Sequence, residues 1–139
     1  MEFQMDGYCG LYCGACPAIL ETTSGKKDTC HGCKTDHTAD HCAACEIKAC
    51  AQQKGYRFCY ECSEVKSCEM LRTFMFDERY PYHLSVMKNM DAIQQNGVTV
   101  WLAEQEVRWQ CKHCGGSFSW WDETCPQCAK PVASYKADL

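Results

Sequence analysis

The sequence predicts a small, metal-stabilised, irregular α+β fold, on three observations. Fifteen of its 139 residues are cysteine, and twelve of those fall in C-x2-C pairs. Leu, Ile, Val and Phe together number only 20, too few for an ordinary core in a chain of this length. The two classes are also segregated. Residues 1–68 hold eleven cysteines and seven of those apolar residues, residues 69–110 hold ten apolar residues and no cysteine, and residues 111–128 hold the last four cysteines. Three units follow: a loop-rich multi-zinc module over 1–68, a helical segment over 69–110 packed on it, and a zinc ribbon over 111–139.

In the first unit, Cys13/Cys16, Cys30/Cys33, Cys42/Cys45 and Cys59/Cys62 form four C-x2-C pairs. Such a turn can bring two sulfurs to one ion, and a second completes a tetrahedron with bonds of about 2.3 Å. Shifting the first two pairs by 29 residues maps them onto the last two, as two similar modules would require. Spacing admits two pairings. Neighbours join 13/16 with 30/33 and 42/45 with 59/62; a cross-brace joins 13/16 with 42/45 and 30/33 with 59/62. Cys9, Cys50 and Cys68 remain for a third site, with a fourth ligand from His31, His37 or His41, of which His41 is taken. Without a histidine, that third site would resemble a catalytic zinc with one open position.

The second unit reads as helical. Leu71, Phe74 and Met75 recur at helical spacing, Pro81 suits a first turn, and Val86, Met90 and Ile93 share one face. Gly97 after Asn96 is the expected C-cap, and Thr99 the expected N-cap of a third helix carrying Trp101, Leu102, Glu104 and Glu106. In the third unit, Cys111-x2-Cys114 and Cys125-x2-Cys128 give a zinc-ribbon pattern. Phe118, Trp120, Trp121 and Tyr135 supply its apolar cover.

Charge and terminus narrow the function. The formal charge of −4 falls to about −11 once fifteen thiolates surround four divalent ions, which disfavours nucleic-acid partners. MEFQMDGYCG lacks the basic and apolar regions of a signal peptide, and no stretch is apolar enough to span a membrane. A cytoplasmic location is expected, where dense cysteine pairs indicate metal rather than disulfides. H-E-x-x-H, P-loop and G-x-S-x-G patterns are all absent, so no enzyme class is assigned. Cys9-x3-Cys13-x2-Cys16 has radical-SAM spacing, but 139 residues cannot also supply the large barrel such enzymes use. A thioredoxin-type role for Cys13–Cys16 lacks its βαβ setting.

The phrase Cys9-Gly-Leu-Tyr-Cys13-Gly-Ala-Cys16-Pro17 resembles the opening of a prokaryotic cysteine-rich family, domain-of-unknown-function family 3795. Cys30-His-Gly-Cys33-Lys34, Ile47-Lys-Ala-Cys50, Gly55-Tyr-Arg-Phe-Cys59-Tyr-Glu-Cys62 and Cys68-Glu-Met-Leu71 extend the resemblance, and Trp101-Leu-Ala-Glu-Gln105 also looks familial. The resemblance implies zinc binding and no established activity. Trp109-x-Cys111-x2-Cys114-Gly115 with Cys125-Pro-x-Cys128 also resembles the rubredoxin-like tail of rubrerythrins, where the ion is iron, although Ala129 stands where those tails carry glycine. The resulting expectation is three or four Zn2+ ions in a structural-zinc adaptor that contacts another protein. The alternative is an iron protein working in electron transfer, of rubredoxin type or with a [4Fe–4S] cluster on Cys9, Cys13, Cys16 and one more cysteine.

Overall fold

The computed structural model describes residues 3–139; the first two residues of the expected 1–68 module lie outside the described residues. The chain is 49% helical. The expected β component is reduced, among the described residues, to three isolated antiparallel bridges: Asp6 with Tyr12, Gln110 with Ser117, and Thr124 with Pro131. Sulfur-bearing turns and helix caps occupy the positions where strands would run. No helix among the described residues is long and apolar enough to cross a membrane.

Among the described residues six α-helices form in order: α1 (Pro17–Thr23), α2 (Asp40–Ala43), α3 (Glu46–Lys54), α4 (Glu69–Met75), α5 (Val86–Asn96) and α6 (Val98–Arg108). Pro17 opens α1 with its φ already helical. Gly55, at φ 74°, closes α3 in a Schellman pattern: its N–H donates to Gln52 O at 3.2 Å, and the Tyr56 N–H to Ala51 O at 2.9 Å. Pro81 begins a 3₁₀ turn over Pro81–Ser85 that runs into α5. Val86, Met90 and Ile93 are the buried stripe of α5, as the periodicity predicts.

The third helix of the middle segment starts one residue before its expected cap. Gly97, at φ 89°, ends α5 and begins α6, so one residue reverses the chain and Thr99 lies inside α6. The two helices pack as a hairpin.

The core joins all three segments. Cys9, Ile47, Leu71, Val86 and Met90 form one cluster. Phe58 of the first segment packs with Ile93 and Trp101. Ala15 packs with Trp109, Phe118 and Trp120. Gly10 marks the tightest junction: it sits at φ 91°, and a Cβ there would lie 2.9 Å from both Met90 Cγ and Val86 O. The Asn89 amide donates to Gly10 O at 2.9 Å and fixes α5 on the loop that carries Cys9.

Candidate metal centre

All fifteen thiols are free. Four of them converge tightly. The ligand atoms of Cys111, Cys114, Cys125 and Cys128 all lie within 4.8 Å of one another. Cys111 Sγ is 3.6 Å from Cys128 Sγ, and Cys114 Sγ is 3.6 Å from Cys125 Sγ. A tetrahedron with metal–sulfur bonds of about 2.3 Å has an edge of about 3.8 Å, so the four sulfurs already stand close to its corners. A disulfide would need about 2.05 Å.

Two matching backbone turns place these sulfurs. The Cys111 N–H donates to Gly116 O (2.8 Å), as the Cys125 N–H does to Lys130 O (2.8 Å). Gly115 N–H returns to Cys111 O (2.8 Å), and Ala129 N–H to Cys125 O (3.0 Å). His113 N–H and Gln127 N–H each point at the first sulfur of their own turn, at 3.4 Å. The Cys114 amide, with that of His113, holds the Cys111 thiol down to about 6, and the Cys128 amide, with that of Gln127, lowers the thiol of Cys125. Cys114 behaves oppositely. The Gly116 amide pulls its thiol down, but burial and three neighbouring sulfurs together push it up to about 12. Four sulfurs at this spacing suit a divalent cation, which would displace the thiol protons on binding. The arrangement is compatible with a zinc-ribbon-like site.

The aromatic residues expected as cover form the seam to the rest of the molecule. Trp120 stacks on Tyr82 at 4.0 Å, Trp109 meets Phe118 edge-on at 5.6 Å, and Trp121 meets Tyr135 edge-on at 5.6 Å. Trp120 N–H donates to Ala15 O at 3.3 Å, tying the unit to the first segment.

The eleven N-terminal cysteines do not meet that standard of convergence: among the described residues, no three of them lie mutually within 4.8 Å. Their local structure nonetheless echoes the spacing repeat. Cys16 N–H donates to Cys13 O (3.0 Å), Cys45 N–H to Cys42 O (3.2 Å) and Cys62 N–H to Cys59 O (3.1 Å). Cys16, Cys45 and Cys68 then occupy the N-caps of α1, α3 and α4.

Among these sulfurs Cys13 neighbours Cys33, and Cys30 neighbours Cys42. Cys13 beside it lowers Cys33 to about 7, and Cys42 beside it lowers Cys30 to about 5. Burial raises Cys9 and Cys16. Burial also lifts Cys59 to about 12, helped by Cys68, Cys50 and Cys45 around it.

Sequence spacing gives no sign of one further cluster. The ligand atoms of Asp28, His31 and His37 lie within 4.8 Å of one another. His31 Nε2 is 2.7 Å and His37 Nε2 is 3.2 Å from Asp28 Oδ1. Asp28 thus engages two of the three histidines that could have completed a cysteine site. His41 lies near Cys30 instead.

Residues 5–73 match the model of a family described as Protein of unknown function (DUF3795). The match supports the resemblance carried by the Cys9–Pro17 phrase and the phrases after it up to Leu71. No curated protein and no solved structure matches the chain.

Proposed function

We propose that this protein is a zinc-binding structural adaptor: thiolate-held zinc fixes its shape, and its helical face contacts another protein. The observation that carries the metal reading is the Cys111/Cys114/Cys125/Cys128 group, with sulfurs 3.6 Å apart across the two turns. Four thiolates leave no open coordination position, which favours a structural ion over a catalytic one. The interaction reading is supported by Val100 and Val107, seven residues apart on one side of α6, which are 47% and 72% exposed.

Elemental analysis and visible spectroscopy of anaerobically purified protein test the metal. The expected result is colourless protein with near-stoichiometric zinc. Near-stoichiometric iron with strong visible absorption would overturn the zinc reading in favour of electron transfer. For the adaptor role, affinity capture is run with the wild-type chain beside Val100→Asp/Val107→Asp. A partner retained equally by both excludes the α6 face.

A further inference from the structure

The N-terminal cysteines are arranged in a way that spacing alone did not anticipate. We propose that the eleven N-terminal cysteines and His41 form three separate four-ligand metal sites, and that each of the first three C-x2-C turns is split between two of them. This deepens the metal-binding reading above and rests on it.

The first site comprises Cys16, Cys30, Cys42 and His41. Cys30 Sγ accepts from the Gly32 N–H at 3.3 Å and faces the Ala39 amide, which places it at the start of α2. His41 and Cys42 lie on α2, and Cys42 neighbours Cys30. Cys16 packs against the cluster formed by Ile19, Cys30 and Ala39. With His31 and His37 both engaged by Asp28, His41 is the histidine beside these sulfurs.

The second site comprises Cys9, Cys13, Cys33 and Cys45. Cys13 neighbours Cys33, and Cys33 faces the Tyr8 amide, next along the chain from Cys9. Cys45 packs against the cluster that contains buried Cys9. All four line one cavity of about 620 Å³, which Cys16, Cys42 and His41 of the first site also line. The two sites therefore open on shared space, joined by the short turns whose two sulfurs they divide.

The third site comprises Cys50, Cys59, Cys62 and Cys68. The Cys59–Cys62 turn stays intact here, because a 3₁₀ turn over Val65–Ser67 carries the chain on to Cys68 at the cap of α4. Helix α3 packs against α4 and brings up Cys50, and Lys54 on the same helix faces both Cys50 and Cys62. Cys45 also neighbours Cys59, but Cys45 lines the cavity and Cys59 does not. Twelve ligands thus divide into three fours with none left over. The Cys9/Cys50/Cys68 site expected from the sequence is redrawn, with Cys9 lining the cavity that Cys50 and Cys68 do not line.

Titration of the full-length, metal-free chain with an NMR-active cadmium isotope tests this without a variant that might not fold. Scalar couplings from cysteine β-protons report which ion each sulfur holds. The expected result is four cadmium resonances, with Cys13 and Cys16 coupled to different ions. Cys30 and Cys33 should divide likewise, as should Cys42 and Cys45, while Cys59 and Cys62 share one ion. His41→Ala should shift only the resonance coupled to Cys16, Cys30 and Cys42. Both cysteines of any of the first three turns coupling to one and the same ion overturns the partition, as does one sulfur bridging two ions. Cadmium confined to Cys111, Cys114, Cys125 and Cys128 overturns it while leaving the proposed function standing. Cadmium bound nowhere overturns both.

Discussion

The C-terminal unit and the N-terminal segment solve the same problem with different means. At the C-terminus, four sulfurs within 18 residues are set by two self-contained turns, and they stand near tetrahedral spacing. In the N-terminal segment, eleven sulfurs spread over 60 residues are set by helix caps, by a buried core and by long-range bonds such as Cys59 N–H to Tyr8 O at 3.0 Å. A site built from local turns is preformed. A site built from distant elements needs the whole fold, and its ion in turn becomes part of what stabilises that fold.

Metal removal should widen that difference most. Structural zinc contributes of order 10 kcal/mol per site in small peptides, far more than any side-chain change considered below. Treatment with a strong chelator is expected to open residues 1–68 to proteolysis, while α5 and α6 keep part of their far-ultraviolet helix signal. Unchanged protease resistance of residues 1–68 in fully demetallated protein would show that buried hydrocarbon suffices there.

Gly10→Ala is the next largest. It strains φ 91° and drives a methyl toward Val86 O and Met90, at the junction where α5 meets the Cys9 loop. Backbone strain alone costs about 1–3 kcal/mol. The expected result is a fall in the melting temperature of the metal-loaded protein, together with weaker metal retention at the N-terminal sites than at the C-terminal one. Equal weakening at both ends would mean that the two regions are less independent than their construction implies.

These contrasts also explain what could be read in advance. The helix over Glu69–Met75, the buried Val86/Met90/Ile93 stripe and the Gly97 reversal are local patterns, and periodicity carries them. The Cys111–Cys128 turns are likewise complete within one short stretch. Cys13 beside Cys33 fits the neighbour pairing, whereas Cys30 beside Cys42 fits neither pairing that spacing admits, because that approach is made across the fold and not along the chain. The capture of His31 and His37 by Asp28 was hidden for the same reason. The β component was overestimated because C-x2-C turns and the caps that follow them occupy backbone that would otherwise pair.

A smaller effect concerns pH. Burial lowers the His83 imidazole below its usual range, while Nδ1–H donates to Phe74 O at 2.9 Å and the ring stacks on Phe74 at 3.7 Å. The unfolded chain therefore takes up this proton at higher pH than the folded one. The contribution of His83 is fully present above its unfolded value near 6.5 and is lost as pH falls through the lowered folded value. His83→Gln should flatten the acid-side decline in stability. Comparing melting curves of the two proteins across that range separates His83 from the thiolates, which lose metal to protons in both. Identical slopes would assign the whole decline to the sulfurs.

The smallest expected effect lies between the two C-terminal turns themselves. They share their carbonyl hydrogen bonds, but Gly115 occupies the left-handed position of the first (φ 75°), and Ala129 that of the second (φ 63°). Ala129 is the one non-glycine residue among the described residues with positive φ. An L-residue there costs about 1–2 kcal/mol, and glycine returns about 0.5–1 kcal/mol of that through its freer unfolded state. Ala129→Gly should therefore stabilise the second turn by about 0.5–1 kcal/mol, visible as a small rise in melting temperature and slower metal release to a chelator. Gly115→Ala should do the reverse by a similar amount. Because both turns carry the same carbonyl bonds and the same amide bond to their first sulfur, opposite signs from the two substitutions would trace the asymmetry to backbone conformation. Equal destabilisation by both would mean instead that the Ala129 methyl packs favourably against the second turn, and that the two halves of the site are held by different forces.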